Sequence, residues 1–355
     1  MGKNMKIKTV ILGSSGYVGG ELLRLVDIHP NFELVAAVSN SHQGSLIASV
    51  FPHLGSIYEG QVFESYSEWY RKINKGSSIA IFSAAPHGTA ANVLANTLTE
   101  TADKKFDIRI VDVSADFRFS NPNQYKKVYG AKHSHTKLLS HFTCGVPEHI
   151  KESYSSFVSH PGCFSTSILL PLMPLALKGI VNDEYYISAV TGSTGSGKSP
   201  KEGTHHPERH SNLYAYKPLL HRHAPEIEDL VKRTSKKKVK INFVPHSGPF
   251  ARGIYATLQA KLKVKLSNKD IGLIYGDFYS DSEFVRYKED PPRLKDVVTT
   301  NYCDLNAIID GNQIVVTCAI DNLIKGAAGG SIQWMNKLWD LDDSTGLLSA
   351  ATPWV

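Results

Sequence analysis

The beginning of the chain joins an apolar strand to a glycine-rich turn, and this junction most constrains the fold. Residues 8–12 predict a buried strand, and residues 13–20, GSSGYVGG, predict a tight turn. A helix is expected over 21–28, where apolar residues recur at helical spacing, and a second strand over 32–38. These elements with short loops form a βαβ unit, whose crossover is expected to be right-handed.

The rest of the chain predicts two kinds of sheet. Apolar strands at 79–82 and 108–113, each followed by a polar loop, favour an α/β fold with a Rossmann-like, doubly wound parallel sheet. Beyond residue 163 the expected strands are longer, and their alternation favours a second α+β domain with a mixed or antiparallel sheet. These strands are predicted at 185–190, 241–244, 252–264 and 313–320, with helices at 168–177, 225–232 and 322–339.

The predicted division is a nucleotide-binding domain over 1–162, completed by a C-terminal helical segment over 321–355, and a catalytic and dimerisation domain over 163–320. A glycine-rich turn is expected at 326–330, beside the last helix. Because a long mixed sheet often carries a subunit interface, a homo-oligomer, either a dimer or a tetramer, is expected.

The spacing Gly13-x-x-Gly16-x-x-Gly19 predicts a dinucleotide site at the end of the first strand. Glycines let such a turn close and let backbone approach a pyrophosphate at the next helix N-terminus. The second strand ends at Ser39 and Asn40, without an acidic residue to bind a ribose 2′-hydroxyl. Small polar residues leave room for a 2′-phosphate, so NADP is favoured over NAD.

Cys163 is the candidate nucleophile. It follows Pro161 and Gly162 in SHPGCFST, and an apolar run begins a few residues later, so the thiol is expected at or near a helix N-terminus. Unpaired amides and the helix dipole stabilise a thiolate there. The alternative is a small buried apolar residue, as most single cysteines are. The dinucleotide site predicted at the beginning of the chain favours a nucleophile over a buried apolar residue.

Bulk composition excludes several classes of protein. The 355 residues carry a formal charge of +6, and the basic run at 236–240 has no interleaved aromatic residues, so a solvated loop is expected rather than a nucleic-acid site. The most apolar stretch, 168–180, contains two prolines, and the N-terminus leads directly into a strand. Neither a membrane span nor a signal peptide is therefore expected. Four dispersed cysteines favour a reducing cytoplasm.

Residues 192–199, GSTGSGKS, match the full phosphate-binding pattern of ATPases and kinases. That pattern functions only when a helix begins at its lysine. Here Pro200, Gly203 and Pro207 follow without apolar periodicity, so an ATPase is not favoured. A flexible, donor-rich loop near the nucleotide or the acyl group is expected instead.

Histidines are abundant, and His221 and His223 form the densest cluster with functional character. A zinc site would draw on these two and on His205, His206 and His210, but co-ligands with a recognisable spacing are missing, so no metal is predicted. A general acid/base partner for Cys163 is more economical, and either histidine could serve. Arg118 and Arg252 suggest a small anionic substrate, either a carboxylate or a phosphorylated compound.

Taken together, these residues resemble the N-acetyl-γ-glutamyl-phosphate reductase family of arginine biosynthesis. The matching segments are Gly13–Leu22, Pro86-His87-Gly88, Val113–Arg118, Gly145–Glu148, Pro161-Gly162-Cys163, His221–Ile227, Pro245-His246, Arg252-Gly253 and Asn322–Ala328. They follow the family's order and span nearly the whole chain.

The resemblance implies reductive dephosphorylation that uses NADPH. Cys163 would attack the γ-acyl phosphate, and the resulting thioester would be reduced to the semialdehyde, with proton transfer by His221 or His223. Implied substrate contacts are Arg118, Ser114, Arg252 and Thr166. Implied cofactor contacts are Gly13, Ser15, Gly16, Tyr17, Val18, Ser39, Asn40, Pro86, Gly195, Asn322, Lys325 and Gly326.

Some segments depart from that family. His160, Ser165 and Ser167 replace its usual residues around the cysteine, and 204–209, THHPER, is similar to the related reductase of lysine biosynthesis. That enzyme acts on an aminoadipyl phosphate tethered to an acidic carrier protein, which a basic surface would suit. Both substrates stay open. An NADP-binding regulator without catalysis, for which Cys163 would be dispensable, is the alternative from another class.

Overall fold

The computed structural model describes residues 6–352, which divide into two compact units. The first comprises the described residues up to Gly145, with Glu152–His160 and Ala328–Leu347. The second comprises Val146–Lys151, Pro161–Ala327 and the described residues from Leu348 onward. This division differs from the predicted one because residues 146–151, 161–162, 321–327 and 348–352 group with the second unit.

A parallel sheet of six strands forms the centre of the first unit, in the order β2-β1-β3-β4-β6-β5. Its strands are β1 (Ile7–Leu12), β2 (Phe32–Val38), β3 (Ser78–Ser83), β4 (Asp107–Asp112), β5 (Phe142–Cys144) and β6 (Phe157–Ser159). The helices of this unit are α1 (Tyr17–Ile28), α2 (Ile47–Val50), α3 (Ala90–Glu100), α4 (Pro122–Tyr129) and α9 (Gly329–Leu338). The predicted parallel sheet is confirmed, and β2 has the predicted bounds.

The strand order reverses at β1, since β2 lies on one side of it and β3 on the other. Ligands of open α/β sheets bind where such a reversal separates neighbouring loops. Here the loops after β1 and β3 meet closely: a Cβ on Gly13 would lie 2.6 Å from the backbone of Ala85. Gly13 also has a φ of +73°, so both space and backbone conformation require glycine.

Helix α1 begins four residues earlier than predicted, at Tyr17 rather than at residue 21. Its first turn contains Gly19, where a Cβ would lie 2.2 Å from the backbone oxygen of Ser14. The glycines expected to form only a turn therefore bring the first helical turn against the preceding loop.

Helix α9 completes the first unit although it lies near the end of the chain. Asn336 hydrogen-bonds to the buried His29 ring, with 2.9 Å between Oδ1 and Nε2. The indole of the fully buried Trp334 donates to the carbonyl of Gly145 at 2.8 Å. Buried polar contacts of this kind fix where the helix sits in the unit.

A mixed sheet of seven strands forms the second unit, in the order β11-β12-β13-β10-β7-β9-β8. The strands are β7 (Glu184–Thr191), β8 (Tyr214–Ala215), β9 (Lys240–Ser247), β10 (Ile254–Lys261), β11 (Val285–Tyr287), β12 (Cys303–Asp310) and β13 (Gln313–Ile320). Only β7/β9 and β11/β12 pair in parallel. The predicted mixed sheet is confirmed. The predicted strand at 252–264 is shorter than expected, at Ile254–Lys261.

The helices of the second unit are α5 (Cys163–Lys178), α6 (His206–Arg209), α7 (His223–Ser235) and α8 (Asn268–Phe278). Helix α5 is nearly all buried and contains Pro171 and Pro174. A proline has no N–H, so Pro174 leaves the carbonyl of Leu170 without its helical donor. The hydroxyl of Tyr279 donates to that carbonyl at 2.6 Å, which explains how a buried helix accommodates the proline.

The expected glycine-rich turn at 326–330 is wrong. Residues Ile324–Ala328 form a π-helical turn that leads directly into α9, so these glycines are helical. Wide turns of this type often occur at functional sites. Among residues 6–352, no helix has both the length and the apolar character needed to cross a membrane.

Candidate active site

The N-terminus of α1 is open to a ligand. Gly16 caps it with extended backbone (φ −84°, ψ 175°), no side chain caps its amides, and its first turn has no acidic residue. A Cβ on Gly16 would meet no atom within 4 Å. The first-turn amides and the helix dipole therefore face space that an anion can enter. The predicted residues Ser15, Tyr17 and Val18 flank this position and are all at least partly exposed.

A cluster of hydroxyls lies where β1 and β2 end. Ser15 and Ser39 share a hydrogen bond of 2.9 Å, and Ser41 lies 3.3 Å from Ser39 and 2.9 Å from Nδ1 of His42. Asn40 is exposed beside them. The sequence analysis named Ser15, Ser39 and Asn40 as contacts; Ser41 belongs to the same small polar run, and His42, the next residue, was given no role. These donors suit a phosphate on the adenosine ribose.

The loop after β3 exposes Pro86 and is held by a buried carboxylate. Asp116 accepts hydrogen bonds from Nδ1 of His87 at 2.8 Å, from the N–H of Gly88 at 2.8 Å and from the N–H of Ala91 at 3.0 Å. Burial alone would raise the pKa of Asp116, but these bonds outweigh it and lower the pKa. An ionised Asp116 thus fixes the loop that contacts the glycine turn.

The loop after β4 contains Ser114 and Arg118, both 7% exposed. The Ser114 hydroxyl donates to Asp112 at 2.6 Å, and Arg118 donates to the carbonyl of Val113 at 2.9 Å. Burial raises the pKa of Asp112 to about 6 despite the hydrogen bond from Ser114. Both predicted residues therefore spend part of their hydrogen-bonding capacity within their own loop.

In the second unit, Cys163 is the first residue of α5, as the predicted helix N-terminus requires. It is partly exposed and not in a disulfide. The N–H of its cap residue, Gly162, donates to the fully buried carboxylate of Glu226 on α7 at 2.8 Å. Gly326 lies on the other side, where an added Cβ would be 2.8 Å from Cβ of Cys163. The thiol is therefore enclosed by segments distant in sequence.

Both candidate histidines lie beside Phe164, the residue after Cys163, with ring centroids at 5.6 Å for His221 and 6.0 Å for His223. The two imidazoles are 4.7 Å apart. Burial, reinforced by the charges of Arg222 and Lys217, lowers the pKa of His221 to about 4. His221 is therefore neutral over the physiological pH range.

A backbone hydrogen bond fixes the tautomer of that neutral ring. Nδ1 of His221 accepts the N–H of His223 at 3.3 Å. An accepting Nδ1 places the ring proton on Nε2. His221 thus presents a hydrogen-bond donor to the cluster, and His223 is the better placed of the two to accept a proton.

Tyr216 joins the same cluster and was missed by the sequence analysis. Its ring lies 5.6 Å from that of His221. Burial raises the pKa of Tyr216 well above its usual value, and the nearby Cys163 adds to the shift. Cys163, Tyr216 and the two histidines therefore form one group.

Two models of the semialdehyde dehydrogenase family match the chain. "Semialdehyde dehydrogenase, NAD binding domain" matches residues 8–156, and "Semialdehyde dehydrogenase, dimerisation domain" matches 163–322. An N-acetyl-gamma-glutamyl-phosphate reductase from Methanosarcina barkeri is 38% identical over 349 residues, covering 98% of this chain and 99% of that protein. The chain belongs to the N-acetyl-gamma-glutamyl-phosphate reductase family of semialdehyde dehydrogenases. It is an oxidoreductase.

Two further matches extend this family. A Picrophilus torridus protein, provisionally named [LysW]-L-2-aminoadipate/[LysW]-L-glutamate phosphate reductase, is 36% identical over 352 residues, covering 96% of this chain and 98% of its own length. The structure of aspartate semialdehyde dehydrogenase with NADP from Candida albicans superposes with a TM-score of 0.64 at 15% identity, covering 94% of this chain and 98% of that one. At this identity, the Candida albicans structure shows only that the two chains share a fold.

The loop at 192–199, predicted to be flexible and rich in donors, has several of its amides already bonded in the structure. The N–H groups of Gly192, Ser193 and Thr194 donate to carbonyls of 250–253 at 2.9, 2.9 and 3.1 Å. The N–H of Gly195 donates to Gly192. No α-helix begins until His206, which agrees with the rejection of an ATPase. Gly195, predicted to contact the cofactor, therefore has its amide already engaged.

Two other predicted residues are occupied within the second unit, and a third is buried in it. The Asn322 side chain accepts from the N–H of Gly253 at 2.6 Å and donates to Thr194 at 3.0 Å. Lys325 is 0% exposed and pairs with Glu148, so that contact accounts for its burial without a bound nucleotide. Thr166 is 0% exposed, inside α5, and its hydroxyl has no hydrogen-bond partner among residues 6–352.

Arg252 forms a two-pronged ion pair with Asp321, with Nε to Oδ2 at 3.0 Å and Nη2 to Oδ1 at 3.3 Å. Asp321 is fully buried and also accepts the N–H of Leu323 and Ile324, so the pair anchors the π-helical turn. This geometry gives Arg252 a structural task in addition to any contact with substrate.

Glu226 is a further residue to which the sequence analysis gave no role. A signal was present, because Glu226 lies three residues after His223 and so on the same face of α7. Among the described residues, no group of three or more histidine, cysteine, aspartate or glutamate side chains could hold a metal ion.

Proposed function

We propose that this reductase converts N-acetyl-γ-glutamyl phosphate to N-acetyl-glutamate semialdehyde, in arginine biosynthesis, with NADPH as reductant. The observation that carries the proposal is the thiol of Cys163 at the first position of α5, directly before Phe164, whose ring lies against those of His221 and His223. A thiolate at a helix N-terminus is a nucleophile suited to an acyl phosphate.

Cys163 would attack the γ-carbonyl, forming the S–C bond as the C–O bond to phosphate breaks, with phosphate leaving. His223 would take the thiol proton and pass it to the departing phosphate. Once the thioester is reduced, the hemithioacetal would break its C–S bond, forming the semialdehyde carbonyl and returning Cys163 as the thiolate. His221, neutral and with Nε2–H as donor, would hydrogen-bond the developing oxyanion. Glu226 would fix the cap residue Gly162 and hence the start of α5.

The first unit fits a nicotinamide dinucleotide phosphate. Gly13, Gly16 and Gly19 form the turn, the α1 amides would bind the pyrophosphate, and Ser15, Ser39 and Ser41 would donate to the 2′-phosphate. Asn40 would line the same side, and Pro86 the neighbouring loop. When bound, the nicotinamide supplies the hydride that reduces the thioester.

Arg118 and Ser114 are the proposed substrate contacts of the first unit, since both lie after β4 at the carboxyl edge of the sheet. The family's dimerisation domain over 163–322 supports a homo-oligomer. Four cysteines, none of them in a disulfide, fit a reducing cytoplasm.

The test is phosphate-dependent reduction of NADP by the purified protein with N-acetyl-glutamate semialdehyde, run in reverse because the acyl phosphate is labile. Turnover is expected, and Cys163→Ala should lower kcat by at least about 1,000-fold while NADPH binding persists. Cys144→Ala is the matched control and should retain activity. Turnover in Cys163→Ala would exclude the covalent route.

A second candidate is the same chemistry on aminoadipyl phosphate carried by an acidic protein. The similarity to the Picrophilus torridus protein and the charge of +6 favour it. If the folded protein binds NADPH but does not turn over the free N-acetyl substrate, the carrier-bound substrate becomes the better candidate.

A further inference from the structure

Arg209, the last residue of α6, has a buried charge without a counter-ion. The residue is 8% exposed, and Nε, Nη1 and Nη2 are all buried without a hydrogen-bond partner among residues 6–352. A guanidinium remains charged at any physiological pH, so burial cannot be relieved by losing the proton. An unpaired buried charge is costly, and proteins retain one where a ligand completes it.

The position of Arg209 links it to the thiol cluster of the same unit. Arg209 and Arg222 both favour the charged form of Tyr216, whereas Cys163 opposes it, so Tyr216 lies within electrostatic range of all three. The ring of Tyr216 also contacts that of His221 at 5.6 Å. Arg209 therefore lies within electrostatic range of Tyr216, the member of the cluster whose ring contacts His221.

The two arginines singled out from sequence are already engaged. Arg252 is bound in two places by Asp321, and Arg118 donates to the carbonyl of Val113. Arg209 alone of these three keeps its whole fork for a ligand. The planar fork matches two oxygens of one phosphate or carboxylate group.

We propose that Arg209 binds an oxyanion of the substrate, either the phosphate or the carboxylate, in the site that contains Cys163. This rests on the proposed acyl-phosphate chemistry. The two groups present the same pair of oxygens to the guanidinium, and kinetics separates them because the reverse reaction takes up phosphate and semialdehyde independently.

Arg209→Gln removes the charge, and Arg209→Lys keeps the charge but loses the fork. In the reverse assay Arg209→Gln should raise one KM by at least about tenfold, and Arg209→Lys should restore part of the loss. A higher KM for phosphate assigns the phosphate group; a higher KM for semialdehyde assigns the carboxylate. Arg293→Gln, at an exposed arginine, is the control. Both KM values within twofold of the wild type would overturn the proposal.

A binding measurement keeps the test independent of turnover. Inorganic phosphate or glutarate should raise the unfolding temperature of the wild type but not of Arg209→Met. Without anion, Arg209→Met should unfold at the same or a higher temperature, because an unpaired buried charge is gone. If the wild type is inactive but the anion raises its unfolding temperature and not that of Arg209→Met, the proposed reaction is refuted and the role of Arg209 stands. Equal responses in both proteins, or none in either, would refute the role of Arg209.

Discussion

The N-termini of α1 and α5 are built alike and used differently. Each follows a glycine with extended backbone, Gly16 or Gly162, without a side-chain cap or an acidic residue in the first turn. At α1 the space beyond the cap glycine is open, whereas at α5 Glu226 and Gly326 close around the first residue. An open helix N-terminus suits a ligand that arrives from solvent; an enclosed one suits an anionic group that belongs to the protein.

The enclosure at α5 is most sharply tested by Gly326→Ala. The added Cβ would lie 2.8 Å from Cβ of Cys163 and 3.1 Å from its Cα, so the thiol must move. Displacing a reacting group by about 1 Å costs on the order of 100-fold in rate, and we expect that loss in kcat. Steady-state kinetics with Gly276→Ala as control, where a Cβ meets nothing, would measure it. An unchanged kcat would mean that the enclosure does not position the thiol.

The open end is tested by Gly16→Ala. The methyl group meets no protein atom, so the fold should lose at most about 1 kcal/mol, the cost of alanine at a cap position. A ligand that approaches the backbone would be hindered, and Kd for NADPH should rise about tenfold, the loss of one to two hydrogen bonds. Fluorescence titration gives Kd and thermal unfolding gives stability. Unchanged affinity would place the pyrophosphate elsewhere.

Acid should destabilise both regions, because each contains a buried histidine. Burial holds the pKa of His221, beside α7, and of His29, the C-cap residue of α1, at about 4, below the unfolded value of 6.5. Their contribution to stability is therefore fully present above pH 6.5 and is lost as the pH falls towards 4, at roughly 1 kcal/mol each between pH 7 and 5.5. Hydrogen exchange should show both α1 and α7 loosening, and His221→Gln should remove the loss at α7 alone. A loss at α7 that persists in His221→Gln would contradict this assignment.

The smallest effect is expected at the second glycine-rich loop. The amides of Gly192, Ser193 and Thr194 are already bonded to 250–253 and no α-helix begins before His206, so Lys198→Ala should keep kcat within about twofold and the wild type should not hydrolyse ATP. Coupled assays for both activities check this. If Lys198→Ala loses turnover and the wild type hydrolyses ATP, this loop binds phosphate, as the open N-terminus of α1 is proposed to do.

The features that the sequence predicts correctly are those that depend on residues close together along the chain. Strands β2 and β13 match their predicted bounds, because alternation and bounding turns are encoded within a few residues. Cys163 at a helix N-terminus was likewise readable from the proline and glycine before it. The place of Tyr216 and the burial of Arg209 were not, since Tyr216 follows the two-residue strand β8 and Arg209 ends the four-residue helix α6, and neither segment has a periodic pattern.

The same limit explains the predictions that did not hold for the glycines. Gly13-x-x-Gly16-x-x-Gly19 and Gly192–Ser199 have similar composition after a strand. In the structure they differ in whether their amides are already hydrogen-bonded to other backbone. Gly326 appeared to belong to a turn near a cofactor, and its close approach to Cys163 depends on the π-helical geometry of Ile324–Ala328. Composition does not encode such a contact.

The place of α9 has a consequence for biosynthesis of the protein. The sheet that contains the dinucleotide loop is built from residues before 160, but Trp334 and Asn336 join this unit only after residues 161–327 have been synthesised. Until then the apolar surface that α9 covers is exposed, so we expect chaperones to bind the nascent chain. A truncated message ending before residue 328 would yield an aggregation-prone product, whereas a synthetic peptide of 328–347 should rescue its solubility.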